Sequence, residues 1–488
     1  MNKIKTSKIP EYVTHVTQTL EEAGFEAYIV GGCVRDLLLS RDPKDWDVTT
    51  NAKPDEIIPL FKKTVYENKF GTVAVIHETV SGETYQIEVT PYRIEAKYSD
   101  FRHPDEVKFS KKIEDDLKRR DFTINAMAFS SKGHLIDLYK GQEDLKDKII
   151  RTVGTPSDRF EEDALRMLRA VRFSAQLGFT ISHETMEEIL KKSDLIKKIS
   201  FERIRDEFTQ IIMSENSVSG VAMLSKLGLL KHIMPELEQG IECEQGGEHI
   251  YDVYEHLLHA LGHSTDKGWS FEVRLAALFH DIGKPKSRRP GEKKEYTFYG
   301  HEVVGARITK KIMERLKYPK KTTNLVVSYV RNHMFFSDTE IISLSAVRRV
   351  VKKVGKENIW KLMQIRECDR VGMNKKEAPY RLRKYHSMIE QVLRDPISVN
   401  QLKINGEIMM NELKIKPSPR MGWILYALLE KVLDDPKNNT EEYLKNRALE
   451  LNKLTDKELK KLGEIGRDKK DEVEGGEISK IQSKYKVR

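Results

Sequence analysis

Asp45 and Asp47 are the first residues of the chain whose spacing suggests a chemical role. If their segment is a strand, both carboxylates point to the same face, because side chains alternate along a strand. Two adjacent carboxylates repel each other unless a cation lies between them, and Mg²⁺ that also binds phosphate oxygens is the usual solution. The pair therefore predicts a magnesium site for phosphate chemistry. Taken alone, two exposed aspartates in a loop would be the commoner explanation.

Gly31 and Gly32 precede the aspartates and follow the apolar run Ala27–Val30. We expect this run to be a strand that turns on the two glycines into a helix. Such a turn presents backbone N–H groups at a helix N-terminus, a position that favours phosphate. Arg35, one turn into the helix, adds a charged donor suited to a triphosphate. Glycine pairs also mark ordinary turns, so this signal depends on the segments that follow.

Three later segments carry charged residues: KRRDFTINA at 118–126, DLYKGQEDL within 137–151, and EEDALRMLRAVRF at 161–173. Together with the glycines and aspartates, they resemble the bacterial and eukaryotic type of CCA-adding tRNA nucleotidyltransferase. That family belongs to the polymerase-β-like superfamily and shares its head with bacterial poly(A) polymerases. The resemblance extends through residues 1–210 in the order and spacing of the family.

The resemblance implies a role for each matching residue. Asp45 and Asp47 would be catalytic and hold two Mg²⁺ ions, and Glu88 is a candidate for a third carboxylate of the head. The residues implied in nucleotide binding are Gly32, Arg35, Arg120, Asp121, Asn125, Asp163, Arg166, Arg169 and Arg172.

Asp163 and Arg166 have the chemistry to select a base. Three residues apart, they would share one face of a helix. Aspartate accepts hydrogen bonds and arginine donates them, which matches the amino group and ring acceptors of cytosine or adenine. Uracil and guanine place an acceptor where the amino group should be. An isolated pair of this kind would more often be an exposed salt bridge.

The segment 92–104 resembles the flexible loop with which one family member switches from adding C to adding A. Enzymes that add only CC typically lack this loop, so its presence implies complete CCA addition. The chain departs from the common family pattern at Ala96 and His103, where glycine and arginine are more frequent. A plain surface loop is the alternative explanation.

Imidazoles and carboxylates recur in five separated segments farther along the chain. Neutral imidazole together with carboxylate suits transition metals, and such a centre can activate a bound water. The pattern, with His280-Asp281 followed by Ile282-Gly283-Lys284, resembles the HD superfamily of metal-dependent phosphohydrolases. The implied ligands are His256, His280, Asp281 and Asp369, with His301 and His333 as the two extra ligands of two-metal variants. A divalent transition metal is the implied cofactor. The alternative is that this set of residues has only a structural role and no catalytic activity.

Strands and helices must position these residues. The β-branched runs at 72–77 and 85–89 predict strands, so we expect a mixed α/β sheet in the first 150 residues. Apolar residues then recur at helical spacing. The first helices predicted in this way cover 162–177, 184–198 and 202–213. Loops or boundaries are predicted at the Gly and Pro clusters near 235–248, 285–300 and 417–422.

Three segments remain after these assignments. Ser200 to Ile204, with Glu207, resembles the helical neck motif of the nucleotidyltransferase family, which implies that it positions the base-selecting helix. The segment 400–450 resembles the family's tail, which binds the tRNA elbow. Both would also fit plain helix packing. The Lys- and Glu-rich stretch 453–488 is interpreted as a solvated helix or a frayed tail.

Composition adds weaker constraints. The 488 residues include 85 Lys and Arg against 76 Asp and Glu, and this modest excess is compatible with a polyanionic partner such as tRNA. The three cysteines are far apart and form no CxxC pair, so we expect a reducing cytoplasm and no disulfide framework. The sequence contains no apolar run long enough to span a membrane, and Met1 to Pro10 does not read as a signal peptide.

We therefore predict an α+β protein with a polymerase-β-like head and an all-helical remainder. The predicted domains are a head at 1–150, a neck at 151–235, an HD domain at 236–375 and a tRNA-binding tail at 376–488. The predicted reaction adds CCA to tRNA from CTP and ATP without a template. The alternatives are a poly(A) polymerase, a CC-only enzyme, or an HD phosphohydrolase with a vestigial head.

Overall fold

The chain has a mixed α and β structure in this computed structural model. The described residues are 4, 6–66, 71–79, 82–95, 107–246, 250–291, 295–334, 342–371, 379–394 and 398–487. Two compact units are distinguished by their internal contacts. The first comprises Met1–His333 and Leu362–Asn374, and the second comprises Met334–Lys361 and Lys375–Arg488.

The strands of the head are β1 (Ala27–Val30), β2 (Asp47–Thr50), β3 (Thr64–Tyr66), β4 (Val73–Glu78), β5 (Thr84–Pro91), β6 (Arg93–Glu95), β7 (Val107–Phe109), β8 (Met127–Ser130) and β9 (Leu135–Asp137). Seven of them form the sheet at the centre of the head, in the order β3-β4-β5-β2-β1-β8-β9. Its helices are α1 (Glu11–Glu22), α2 (Gly32–Leu38), α3 (Pro54–Ile57), α4 (Ile113–Lys118) and α5 (Gly141–Asp147). The predicted strands at 27–30, 72–77 and 85–89 are confirmed within one or two residues.

The sheet register brings two carboxylates together. Strand β2 is parallel to β5, and Asp47 is the direct partner of Glu88. Neighbours in register on adjacent strands project to the same face. The central strands are held by apolar side chains that exclude water, among them Ile29, Val48 and Val89, each at most 2% exposed. Asp47 and Glu88 therefore lie on strands that are held in place by a well-packed apolar core.

The predicted switching loop at 92–104 lies largely outside the described residues. Its base is described: β6 and β7 pair as an antiparallel two-stranded sheet, with Arg93 opposite Phe109. Gly71, at φ +90°, lies against Phe109, and a Cβ there would be 2.8 Å from the ring.

Helices dominate after the head. They are α6 (Pro156–Glu162), α7 (Leu165–Leu177), α8 (His183–Lys192), α9 (Phe201–Met213), α10 (Ser217–Lys226), α11 (Leu230–Ile233), α12 (Pro235–Glu238), α13 (Val253–Asp266), α14 (Phe271–Phe279), α15 (Lys284–Ser287), α16 (His301–Arg315), α17 (Lys320–Asn332), α18 (Leu344–Val354) and α19 (Ile359–Asp369). Two short two-stranded ladders accompany them, formed by β10 (Ile149–Ile150) with β11 (Thr180–Ile181) and by β12 (Arg289–Pro290) with β13 (Tyr296–Thr297).

The predicted helix at 162–177 is interrupted, which corrects the argument that Asp163 and Arg166 share a helix face. Helix α6 ends at Glu162, and Asp163 has an extended backbone with φ −144°. Its Oδ1 accepts a hydrogen bond from the backbone N–H of Leu165 at 3.0 Å. Aspartate before a helix caps orphan N–H groups in this manner. Asp163 thus precedes α7, and Arg166 lies in its first turn.

The second unit contains α18 and five further helices: α20 (Pro379–Leu393), α21 (Gly406–Asn411), α22 (Pro419–Asp434), α23 (Glu441–Leu451) and α24 (Asp456–Lys484). Met409, Ile424, Leu428, Leu444 and Leu459 form part of its core. The charged stretch at 453–488 is a long helix, as one of the two interpretations predicted. It is not frayed, because α24 packs along α22.

Among the described residues, none of the helices combines the length and apolar character that crossing a membrane requires. The four-domain division remains a prediction, since compactness separates only two units.

Candidate functional site

The turn between β1 and α2 brings a cation and an anion against the backbone. Gly31 has φ +85°, a conformation that favours glycine. A Cβ at this position would lie 3.0 Å from Arg120 Nη1 and 3.8 Å from Asp47 Oδ2. Because Gly31 has no side chain, the guanidinium and the carboxylate can both approach the start of α2. The expected strand, glycine turn and helix are all present.

Asp47 begins β2, and Asp45 lies two residues earlier in the preceding bend. Burial raises the pKa of Asp47, Arg120 opposes this rise, and the neighbouring carboxylate of Asp45 adds to it. Glu88, whose position was open, is the register partner of Asp47. Asp45 and Asp47 supply the hard carboxylate oxygens that Mg²⁺ prefers, and this pair therefore fits the expected metal. Glu88 does not form a group of three closely spaced ligand atoms with them.

Four predicted nucleotide-binding residues form one hydrogen-bonded chain. Arg35 Nη1 donates to Asn125 Oδ1 at 2.7 Å, and Asn125 Nδ2 donates to Asp121 Oδ1 at 3.3 Å. Arg169 Nε donates to Asp121 Oδ2 at 2.7 Å. Burial would raise the pKa of Asp121, but Arg169 and Arg166 lower it to about 2. Asp121 is therefore an anion that fixes the arginines around it.

Phe173 is a centre of this arrangement that the sequence analysis missed. The guanidinium carbons of Arg172, Arg35 and Arg169 lie 4.2, 5.2 and 5.4 Å from the centre of its ring. Aromatic rings attract guanidinium groups at such distances. The four-residue spacing from Arg169 to Phe173 on one helix was the signal that could have revealed this contact.

A cavity of about 1170 Å³ opens onto these residues within the first unit. Nine of the eleven residues predicted for the head site line it: Gly32, Arg35, Asp45, Asp47, Arg120, Asp121, Asn125, Arg169 and Arg172. Thr209, Gln210 and Asp206 of α9 contribute to the same wall and were not predicted. The cavity joins a carboxylate pair, several guanidinium groups and the glycine turn, so it can accommodate an anionic substrate and a cation.

Asp163 and Arg166 do not line this cavity. Arg166 is buried, with Nη1 on Arg159 O and Glu162, and with Nη2 on Arg119 O at 3.0 Å. Asp163 receives Arg203 Nη2 at 2.6 Å. The pair is thus bound to other partners, and its role in base selection remains a prediction.

A second set of predicted ligands converges in the helical region. His256, His280, Asp281 and Asp369 bring ligand atoms within 4.8 Å of one another, and Asp281, His301 and His333 do the same. His280 Nε2 lies 3.3 Å from Asp281 Oδ2, and His301 Nε2 lies 3.1 Å from Asp281 Oδ1. Asp281 therefore belongs to both groups, as a bridging carboxylate does in a two-metal centre.

Backbone carbonyls orient three of the imidazoles. The Nδ1 atoms of His280, His301 and His333 lie 2.8, 2.7 and 2.7 Å from the carbonyl oxygens three residues earlier. This contact fixes the ring and leaves Nε2 directed at the cluster, an orientation typical of metal-binding histidines. The residues present fit one or two transition-metal ions.

Gly283 lets α16 reach the cluster. A Cβ on Gly283 would be 2.2 Å from His301 O and 2.5 Å from Gly305 N, so only glycine fits between these backbones. Lys284, which the motif contained without an assigned role, is 94% buried, with Nζ 2.6 Å from Asp281 Oδ2 and 2.6 Å from Gln245 Oε1.

The buried charges of this centre perturb each other strongly. Burial would lower the pKa of His280, but Asp281 and Asp369 raise it to about 10. Burial and the neighbouring His280 lower the pKa of His256 to about 3. Protons and metal ions compete for the same nitrogen atoms, so metal binding at this centre would depend on pH.

Comparison with known families matches three parts of the chain. Residues 27–151 match the Poly A polymerase head domain, and residues 178–241 match the probable RNA and SrmB-binding site of polymerase A. Residues 246–374 match the HD domain. Fold and site together define a nucleotidyltransferase with a polymerase-type head, a helical RNA-binding segment and an HD domain.

Similar curated proteins define the family more closely. The CCA-adding enzyme of Lactiplantibacillus plantarum is 32% identical over 436 residues, which are 88% of this chain and 93% of that protein. The CCA-adding enzyme of Lactobacillus helveticus is 44% identical over 286 residues, 58% of this chain and 68% of that protein. The match to the Lactobacillus delbrueckii enzyme, at 47% identity, spans 44% of this chain and 54% of that protein. This chain belongs to the CCA-adding enzyme family.

Solved structures agree with this assignment. The Bacillus stearothermophilus CCA-adding enzyme in complex with CTP superposes with a TM-score of 0.60 at 25% identity, covering 91% of this chain and 98% of that one. The Thermotoga maritima CCA-adding enzyme complexed with tRNA superposes with a TM-score of 0.51 at 20% identity, covering 92% and 97%, and supports the fold. The predicted α+β class and the tRNA nucleotidyltransferase assignment are confirmed, and the relatives favour them over a poly(A) polymerase.

Proposed function

We propose that this chain completes the CCA end of tRNA by adding CMP, CMP and AMP from CTP and ATP, with Mg²⁺ at Asp45 and Asp47. The observation that carries the proposal is one cavity in which this carboxylate pair meets the glycine turn and two arginines of α7, Arg169 and Arg172. Relatives of this family have been solved with CTP, with ATP and with tRNA. The free, buried cysteines fit work in a reducing cytoplasm.

The residues that line the cavity have three proposed roles: binding the metal, binding the nucleotide, and positioning the arginines. The bound metal would lower the cost of deprotonating the terminal 3′-hydroxyl and would neutralise the triphosphate. Arg35, Arg120, Arg169 and Arg172 supply donors for phosphate oxygens and the ribose. Asp121 and Asn125 hold the Arg35 and Arg169 guanidinium groups at hydrogen-bond distance. Catalysis of this kind rests mostly on positioning and charge stabilisation.

Base selection is assigned to Asp163 and Arg166, with Arg203 as a new participant. Asp163 accepts two hydrogen bonds from Arg203 and one from the N–H of Leu165, which leaves one of its about four lone-pair sites to accept from a base amino group. Arg166 uses three of its five N–H groups on Arg159 O, Glu162 and Arg119 O, so two N–H groups remain that could donate to a base. The loop at 92–104 is proposed to permit the change from C to A.

The test is incubation of the protein with tRNA ending at the discriminator base, CTP, ATP and Mg²⁺, followed by sequencing of the products. Wild type should add C, C and A in order. Asp45→Asn and Asp47→Asn should each lower the rate of single-turnover addition by several orders of magnitude, because each removes a proposed metal ligand. The Kd for tRNA should stay within about twofold, because these carboxylates are not proposed to bind the RNA. Addition at the wild-type rate by either variant would refute the metal assignment, and addition of A alone would indicate a poly(A) polymerase.

We further propose that the HD cluster is a metal-dependent phosphohydrolase centre. The observation is the convergence of five buried candidate ligands on Asp281, with three of the imidazoles oriented through Nδ1. A bound metal would supply an activated water. The chain supplies the ligand geometry, and Lys284 supplies a buried cation beside the bridging carboxylate.

Hydrolysis of a simple phosphomonoester and of a 2′,3′-cyclic nucleotide, screened with Mn²⁺, Ni²⁺ and Mg²⁺, tests this second activity. Wild type should hydrolyse at least one substrate, and His280→Ala should abolish that hydrolysis while CCA addition continues. If no metal elicits hydrolysis and His280→Ala lowers the melting temperature, the HD cluster is a scaffold.

A further inference from the structure

Helix α18 carries an unusual distribution of charge. Its sequence, LSAVRRVVKKV, contains four cations and no Asp or Glu. The cations are Arg348, Arg349, Lys352 and Lys353, and all four are exposed. They occupy two adjacent columns on consecutive turns, because residues four apart on a helix lie one above the other.

These four cations are not neutralised. None of them makes an ion pair or a hydrogen bond with a residue in the part of the chain that the structure describes. Some lysines elsewhere in the same unit do pair with carboxylates, such as the exposed Lys460 with Glu464 and the half-buried Lys445 with Glu441. Four unpaired like charges on two turns repel one another. Binding of an anion to this face reduces the repulsion and is therefore favourable.

We propose that this face of α18 is a docking surface for the phosphate backbone of tRNA, which rests on the proposed CCA addition. Guanidinium groups bind phosphate through two parallel hydrogen bonds, and lysines add charge at the same surface. Duplex RNA is recognised largely through its shape, its phosphates and its 2′-hydroxyls. The surface supplies positive charge and hydrogen-bond donors, and α18 contains no carboxylate that would repel the phosphates of an RNA backbone.

A membrane is a poorer partner for this helix. A basic helix that binds at a lipid surface inserts its apolar face. The apolar face of α18 is occupied, because Val347, Val351 and Val354 are 0, 3 and 7% exposed in the second unit. The helix packs against α20, and its exposed surface consists of the four cations together with Leu344 and Ser345 at its first turn. A polyanion that needs no apolar insertion fits this arrangement.

Helix α18 lies in a different part of the structure from the HD domain to which the sequence assigns it. Residues 344–354 lie inside the predicted HD domain and inside the matched HD family segment at 246–374. The structure places this helix in the second compact unit, together with the predicted tRNA-binding tail. The tRNA contact would therefore begin earlier in the chain than residue 376.

The experiment compares two quadruple alanine variants of the full chain. The first replaces Arg348, Arg349, Lys352 and Lys353. The control replaces four cations that are 58–61% exposed and paired with a carboxylate: Lys63, Lys197, Lys310 and Lys460. Both variants lose the same net charge. Alanine is a strong helix former, so the first variant should keep α18 and its melting temperature.

The α18 variant should bind tRNA on the order of tenfold more weakly at low salt, and the slope of log K against log salt should become shallower by about 3. Its KM for tRNA should rise while its KM for CTP stays unchanged. Arg348→Lys with Arg349→Lys should retain most of the affinity. The paired-lysine control should remain near wild type in both affinity and slope.

Three results would overturn the docking surface: wild-type affinity and slope in the α18 variant, equal weakening in the control, or wild-type binding to anionic vesicles that matches the binding to tRNA. None of them affects CCA addition by wild type. Absence of CCA addition by wild type would instead remove the proposed function itself.

Discussion

Arg203 of α9 grips the carboxylate of Asp163 with two hydrogen bonds, Nη2 to Oδ2 at 2.6 Å and Nη1 to Oδ1 at 3.2 Å. The two residues are forty positions apart, and Asp163 has no helix of its own to orient it. The parallel geometry fixes the plane of the carboxylate, which a single contact cannot do. Arg203 is therefore a positioning residue for the aspartate assigned to base selection.

Arg203→Lys should reduce discrimination of CTP and ATP against UTP and GTP by about tenfold, because lysine keeps the charge and loses the fork. The measurement is kcat/KM for each of the four nucleotides with the appropriate tRNA substrate. Arg205→Lys, on the same helix and outside the Asp163 contact, is the matched control. A lower melting temperature with unchanged nucleotide selectivity would make Arg203 a purely structural tie.

Phe173 should matter for nucleotide binding although it carries no charge. Phe173→Leu keeps an apolar side chain but removes the ring that three guanidinium groups share, at about 0.5–1 kcal/mol for each such contact. We expect the KM for CTP and ATP to rise by threefold or more, with a smaller change in KM for tRNA. Phe173→Tyr keeps the ring and should restore the wild-type KM. Equal KM values for the Leu and Tyr variants would exclude a role for the ring.

Sequence reasoning succeeded where function is tied to short, ordered segments. The strand and glycine turn before Arg35 are confirmed, and the predicted ligands around Asp281 lie close together, while their role in metal binding remains a prediction. Such segments need particular residue types at particular positions, so their chemistry is visible before their geometry is known.

Sequence reasoning failed where one residue overrides a periodic pattern. The apolar spacing across 162–177 continues through the break at Asp163, whereas the hydrogen bond from Leu165 N–H to Asp163 that begins α7 leaves no trace in that spacing. The neck motif at Ser200 to Ile204 was expected to position the base-selecting helix, but the specific contact between Arg203 and Asp163 was not predicted. Spacing along one helix carries no information about a side chain that arrives from another.

Asp116 gives the head a stability that depends on pH. This buried carboxylate accepts from Arg119 at 2.6 Å and from Arg120 at 3.0 Å. Burial would raise its pKa, but the two arginines lower it to about 2 from an ordinary value of 3.8. A lowered folded-state pKa means that the contribution is complete above about pH 4 and is lost as the pH falls towards 2.

Asp116→Asn should therefore destabilise the head by about 2 kcal/mol at pH 7. The difference from wild type should shrink between about pH 4 and 2. Hydrogen exchange of head peptides in increasing urea measures this local stability. Glu114→Gln, exposed on the same helix, removes the same charge and should change little. A difference from wild type that stays constant down to pH 2 would contradict the role of the ion pairs.

Close packing of α24 on α22 leads to the last prediction. A Cβ on Gly466 would lie 2.1 Å from Tyr426 O, and a Cβ on Gly463 would lie 2.8 Å from Trp423 Cα. Both contacts are with backbone, which cannot rotate away as a side chain can. The two glycines, one turn apart, allow the helix axes to approach. Gly475 and Gly476 lie on the same helix, exposed, with open space where an added methyl group would extend.

Gly466→Ala should destabilise the second unit by about 1–3 kcal/mol, because an added methyl in a tight helix contact forces the backbones apart. Gly475→Ala should instead stabilise it by about 0.5–1 kcal/mol, since alanine is the better helix former and meets no neighbour. Thermal unfolding of both variants, with hydrogen exchange of α22 and α24 peptides, separates the two effects. The opposite signs within one helix are the critical result: stabilisation by both substitutions would show that α24 does not pack on α22 at Gly466.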